Sequence, residues 1–306
     1  MQRVRLMCWC QSCVSGAHLP AFAAAEGGLF AEQGLEVEFV PAAATPDWTL
    51  RGFTSRVKAV AAGDAEFALT SVAYLLAAQA DAGGRLPARF VAISHQRNPI
   101  VAVVRDDSDL EVPADLAGVR AARWSIPWFA HEYAGALAHM GVGAPAIVDT
   151  EGDLDAALGR GDVDVIPTWM DMTLYHRDAG FATRVIPLDI EVYATGLVAA
   201  DRVSRGLVSR MRDAFIAGYE LQRQEPALGI AAFRRRFPAV SEAHIRANWA
   251  LFEPNAFDGD QPGAMNEQRW QETIDYTAAT HGLPPFAGER VYRPELLAPA
   301  RQFVPA

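Results

Sequence analysis

The sequence predicts an α/β protein built as two similar lobes. Three observations predict it: strands and helices alternate along the first 200 residues, one helix, Gly-Asp turn and strand arrangement occurs twice, and a 306-residue chain that is 51% hydrophobic can fill two cores. In order, RVRLMCWC (3–10) alternates weakly and reads as a strand, and AHLPAFAAAEGGLFAEQG (17–34) reads as a helix ending at glycine. LEVEFVPA (35–42) alternates strictly and is a second strand. A helix over 55–62, a Gly-Asp turn, a strand over 65–70 and the helix VAYLLAAQADAG follow. RFVAISHQ (89–96) and PIVAVVRDD (99–107) are two more strands, and this βαβ alternation implies a parallel sheet flanked by helices.

The second stretch repeats the pattern. LAGVRAARW (116–124) is a strand, IPWFAHEYAGALAHMGV a helix, PAIVDT (145–150) a strand, EGDLDAALGRGD a helix and VDVIPTW (163–169) a strand. ATRVIPLD and EVYATGLVAA (191–200) are further strands, and the chain from Ser204 onward reads mainly as helix. RGDVDVIPTW matches AGDAEFALTS in arrangement, each strand ending in polar or aromatic residues. The lobes are therefore expected at 1–95 plus 197–306 and at 96–196, with chain crossings near 94–99 and 191–196.

Composition narrows the partners. A net charge of −10 and a pI near 5.2 argue against nucleic acid or an anionic membrane, which need a basic face. No stretch reaches the roughly 18 apolar residues that span a bilayer, so direct membrane insertion is not expected. The start MQRVRLMCWCQSCVSGAH lacks a signal-peptide pattern, which places the chain in the cytoplasm as written, or in the periplasm if a leader was removed. Lys58 is the sole lysine, which restricts Schiff-base chemistry.

Several segments, in order, resemble the periplasmic-binding-protein-like chains of the NMT1/THI5-like or SsuA-like family, the nitrate, sulfonate, taurine and thiamine-precursor branch. They are AFAAAEGGLFAEQGLEVEFVPA, AAGDAEFALTSVAYLLAA, VVRDDSDLEVPADLAGVRAARWS, GRGDVDVIPTW and GLVAADRV with a helical tail. The resemblance implies a type II periplasmic-binding-protein-like fold, two α/β lobes with a hinge and a ligand cleft between them. It also implies three functions to choose among: an ABC-importer binding component with a permease partner, a pyridoxal-phosphate-dependent pyrimidine synthase, and a cysteine-dependent desulfinase. Thr70 and Tyr74 stand where the synthase would have its cofactor lysine and a histidine, so no cofactor is expected.

All three cysteines lie in CWCQSC: Cys8, Cys10 and Cys13. A zinc site would need His18 as fourth ligand, and no metal is expected. Cys8 and Cys10 fall on one face of the first strand as small buried hydrophobes. Cys13 enters the following loop, where the desulfinase branch places its nucleophile, and His18 would lower its pKa. That branch also uses an arginine in the third-strand region, where this chain has Phe67 and its neighbours.

Residues at strand ends should face the cleft. Thr70 and Ser71 precede a helix and are either caps or anion donors, and Ser125 is read the same way. His95 ends a strand. Trp48, Trp124, Trp169 and Tyr193 supply flat amphipathic surface suited to an aromatic or heterocyclic ligand. Asp47, Asp171 and Glu191 are the acidic candidates, and Arg97 and Arg123 the basic ones. The sequence thus favours a binding protein for a small organic ligand with no catalytic residue. A cleft-facing Cys13 with His18 is the enzymatic alternative.

Overall fold

The computed structural model describes residues 1–9, 16–42, 49–257 and 262–297. The first lobe is built on β1 (Gln2–Trp9), β2 (Leu35–Pro41), β3 (Phe67–Ser71) and β4 (Ala88–Ile93). The second is built on β5 (Ile100–Arg105), β6 (Arg120–Arg123), β7 (Ala146–Asp149), β8 (Ile166–Trp169) and β9 (Thr183–Pro187), after which β10 (Thr195–Ala200) returns to the first sheet. The first sheet has the order β2-β1-β3-β10-β4, with β10 antiparallel to both neighbours. In the second, β5 runs antiparallel between β8 and β9, β6 pairs with β7 in parallel, and the Ala121–Val165 bridge joins β6 to β8. The resulting order β7-β6-β8-β5-β9 is the same pattern, with β5 in the place of β10.

The two halves share local chemistry as well. Helix α3 (Ser55–Ala62), which follows α1 (Leu19–Glu26) and α2 (Leu29–Glu32), ends at Gly63 with φ +106°. After α4 (Val72–Asp81) and α5 (Trp128–His139), helix α6 (Leu154–Arg160) ends at Gly161 with φ +74°. Both turns need the left-handed conformation that glycine adopts without a Cβ clash. Three residues beyond each glycine an acid meets an arginine of β1 or, at the equivalent place in the second sheet, β6. The Arg5 backbone N–H and Nη2 donate to Glu66 at 2.8 and 2.9 Å. Those of Arg120 donate to Asp164 at 2.9 and 2.6 Å.

The first sheet is covered on both faces, which is why β3 is buried throughout and β4 at every residue but Arg89. Helix α1 is buried from Leu19 through Ala24 and lies under α8 (Arg205–Gln224) and α9 (Pro226–Arg236), which follow α7 (Thr173–Asp178). Ser204 caps α8 by accepting from the Leu207 N–H at 3.3 Å. The second sheet is thinner: β7 is largely exposed, and Val103, Ala122, Ala157, Leu158, Val163 and Ile166 form a small separate cluster. No helix among the described residues is long and apolar enough to cross a membrane.

The chain passes between the sheets at 94–99 and at 188–194, and the two crossings are bonded to each other, Asn98 N–H to Ile190 O at 3.0 Å. Helices α10 (Glu242–Ala256) and α11 (Glu267–His281) lie against them. Asn255 of α10 exchanges bonds with the Arg97 backbone at 3.0 and 2.9 Å, and Thr273 of α11 accepts from Tyr193 N–H at 3.0 Å. The strand expected over 191–200 is therefore shorter, because residues 191–194 belong to the crossing.

Candidate functional site

A cavity of about 1030 Å³ opens between the sheets, at the carboxyl ends of β3, β4, β6 and β8. Its first-lobe wall is polar. His18 opens α1 and is 5% exposed, and its Nδ1 has no partner among the described residues. Burial, reinforced by Arg56 and His95, pushes its pKa down to about 3, so the ring is neutral at pH 7. His95, just beyond β4, is pushed to about 3 by burial; its Nδ1 bonds the Thr195 hydroxyl, and its ring meets the Phe252 ring edge-on at 4.4 Å. Thr70 Oγ1 is buried without a partner among the described residues, while Ser71 Oγ accepts from Ala73 N–H at 3.2 Å and caps α4.

Arg56 completes this wall from α3. Its Nη1 donates to the Leu69 carbonyl of β3 at 3.1 Å, and burial pulls its pKa down; a guanidinium in a protein keeps its charge. The site thus holds a cation beside two neutral imidazoles.

The opposite wall is aromatic. Trp128 of α5 meets Trp169 edge-to-face at 5.3 Å and Tyr74 of the first lobe at 5.7 Å, and Tyr74 stacks on Phe53 at 4.9 Å. This chain of rings crosses the cleft. Trp169 is fixed from behind: its Nε1 donates to Glu132 Oε2 at 3.0 Å, and Asn98 Nδ2 of the first crossing donates to Glu132 Oε1 at 2.8 Å. Glu132 is 5% exposed, and burial raises its pKa to about 7 against the opposing pull of those two bonds. Trp124 donates to the Pro167 carbonyl at 3.3 Å, and Thr168 Oγ1 is buried without a partner among the described residues. Arg123 lines this side too, but Asp149 holds it at 2.6 and 2.7 Å, which neutralises its charge.

Residues 15–227 match the family model described as NMT1/THI5 like. The chain belongs to the NMT1/THI5-like family. No curated protein matches it in sequence. Among solved structures, this family member resembles the periplasmic aliphatic sulphonate binding protein SsuA from Escherichia coli at 16% identity and TM-score 0.70, covering 100% of this chain and 97% of that one. It resembles the alkanesulfonate-binding protein SsuA from Xanthomonas axonopodis pv. citri bound to MOPS at 16% and 0.62, covering 97% and 98%. It also resembles a mutant of DszB in complex with biphenyl-2-sulfinic acid at 16% and 0.59, covering 95% and 97%. These likenesses show the fold, the type II periplasmic-binding-protein architecture expected from the sequence.

Of the residues singled out in this NMT1/THI5-like chain, His18, Thr70, Ser71, His95, Trp124, Ser125 and Trp169 line the cavity, as does Asp171. Cys13, Trp48, Cys10 and Asp47 lie outside the described residues. Two placements are corrected. Tyr193 is core, because its ring packs on Trp270 at 5.1 Å and its hydroxyl accepts from Asn266 N–H at 2.9 Å. Glu191 is on the surface and pairs with Arg97 at 3.4 Å. Ser125 is not a helix cap either, since Pro127 precedes α5 with no side-chain cap. Lys58 pairs with Asp81 at 3.1 Å on the surface, away from the cavity. Cys8 is buried as expected, and burial raises its thiol pKa to about 12.

Arg56 and Glu132 were missed. Both sit on helices, behind or beside the strand ends that directed the search. A signal existed: Arg56 shares a face with Ala59 and the buried Val60, and Glu132 with Trp128, Phe129 and Ala136, so each is a charge on an apolar helix face.

Proposed function

We propose that this protein is a solute-binding component that closes two lobes over a small aromatic organic anion. The observation that carries this reading is Arg56, a cation delivered into a cavity walled by Tyr74, Trp124, Trp128 and Trp169. A guanidinium beside the neutral imidazoles of His18 and His95 suits a carboxylate or sulfonate, and the rings suit a flat apolar body. Buried polar atoms of the cavity that have no partner among the described residues, His18 Nδ1, Thr70 Oγ1 and Thr168 Oγ1 among them, support a ligand that supplies their bonds. The crossings at 94–99 and 188–194 support a lobe division at 1–95 plus 197–306 and 96–196. The sulfonate-binding neighbours support a periplasmic site of action and an ABC permease as partner.

Isothermal titration with naphthalene sulfonate, naphthoate, a short alkanesulfonate and naphthylmethylammonium tests the reading. The two arene anions should bind best, the cation should not bind, and Arg56→Gln should weaken the anions by about 10- to 100-fold, the worth of a charge-assisted hydrogen bond. Anion affinity unchanged in Arg56→Gln overturns it.

A second reading gains from the same residue. The desulfinase branch requires an arginine in the third-strand region, and Arg56, bonded to Leu69 of β3, is an arginine there. A cytoplasmic enzyme using Cys13 for C–S or C–C cleavage is therefore the alternative. The rate of iodoacetamide labelling against pH separates the two: a Cys13 pKa well below the ordinary thiol value favours catalysis, and ligand affinity unchanged in Cys13→Ser with an ordinary labelling rate favours binding alone.

A further inference from the structure

The wall opposite Arg56 carries a polar device that the anion site does not use. His176 of α7 and Asp155 of α6 both line the cavity, and His176 Nδ1 lies 2.6 Å from Asp155 Oδ1. Their side chains are only 11% and 13% exposed. The two residues come from different helices of the second lobe, so the pair exists only in the folded lobe.

A carboxylate at Nδ1 holds a proton there, and in the neutral imidazole that leaves Nε2 as the acceptor. The neighbouring charged groups on the same stretch of cavity wall, Glu151 and Asp171, are acceptors as well. Thr168, whose buried hydroxyl has no partner among the described residues, also lines this wall, as do Ser125, Thr150 and Tyr175, which can donate or accept. The Asp155–His176 pair adds a fixed acceptor to this wall, whereas Arg56 on the other wall is donor only. At about 1030 Å³ the cavity lies at the upper end of the roughly 300–1,000 Å³ typical of small-molecule sites, large enough for a body of more than one ring.

We propose that the Asp155–His176 pair is a second recognition point, selecting aromatic anions that carry a hydrogen-bond donor, a hydroxyl or amino group, on the ring remote from the acid. This rests on the anion-binding reading above and assigns the far end of the same ligand. The acid is held by Arg56 in one lobe and the donor by His176 in the other, so a ligand with both groups bridges the cleft while a simple arene anion engages one wall.

The test compares naphthalene sulfonate, its derivative with a hydroxyl on the distal ring, and the methyl ether of that derivative, by isothermal titration against the intact protein. The hydroxyl compound should bind about five- to tenfold more tightly than the parent, the methyl ether should show no such gain, and the gain should vanish in His176→Gln and in Asp155→Asn. Equal binding of parent and hydroxyl compound, or a gain that survives both substitutions, overturns this inference and leaves the anion site standing. Failure of all three probes to bind overturns the anion site and this inference with it. The methyl ether comparison needs no variant, so a substitution that fails to fold does not block the result.

Discussion

Residues 62–71 and 160–169 are the same unit made twice with different endings. Each has a left-handed glycine, an acid bonded to an arginine of β1 or of β6, its counterpart, and a threonine near the strand end whose buried hydroxyl lacks a partner among the described residues. They part at the last residue. Ser71 is small and turns back to cap α4, leaving space that Arg56 and His18 occupy. Trp169 is large, cannot cap, and needs a buried carboxylate behind it. One residue at one strand end thus accompanies the difference between a polar wall and an aromatic one.

Titration should separate the two walls, and it gives the largest effects. His18 and His95 stay neutral in the fold down to about pH 3, while the unfolded chain protonates them near 6.5. The unfolded state therefore binds more protons as pH falls through that window, and each histidine should cost about 3 kcal/mol of stability by pH 4. Glu132 works the other way. Its folded pKa of about 7 exceeds the ordinary carboxyl value of 4.5, so the unfolded state ionises first and stability falls by about 3 kcal/mol as pH rises from 4.5 to 7. Urea unfolding across pH 4–8 should show the acid loss reduced in His18→Gln and the rise-side loss removed in Glu132→Gln. A profile identical in all three proteins would break the contrast between the walls.

A smaller effect tests the shared threonines. Thr70→Val and Thr168→Val should leave stability unchanged or raise it by up to about 1 kcal/mol, because each removes a buried hydroxyl with no partner among the described residues. Each should weaken aromatic anions by a few-fold in the same titrations. A loss of about 2 kcal/mol in either would mean that its hydroxyl is bonded in the empty protein. The smallest effect concerns the equivalent ion pairs. Arg5→Ala and Arg120→Ala should each lower stability only slightly in thermal or urea unfolding, since both pairs are partly exposed. Unequal losses would show how far the thinner second lobe departs from the first.

The repeat was legible because Gly-Asp turns and strand patterns are local. For the same reason the strand ends Thr70, Ser71, His95, Trp124 and Trp169 could be placed near a cleft before any fold was known. Glu191 and Tyr193 were misplaced because EVYATGLVAA reads as one strand, and only long-range contacts assign its first residues elsewhere: Arg269 lies over the Tyr193 ring at 5.0 Å, and Trp270 packs beside it. Arg56 and Glu132 were hidden for a related reason. A charge on an apolar helix face has no meaning until the sheet beneath it, and the cavity beyond, are in place. His176 and Asp155 are 21 residues apart, and no spacing rule joins them.

The bond between Asn98 and Ile190 reaches beyond the fold itself. The two crossings are laced side by side, and the same Asn98 side chain holds Glu132, which holds Trp169, so one connected run of hydrogen bonds ties the crossings to the aromatic wall.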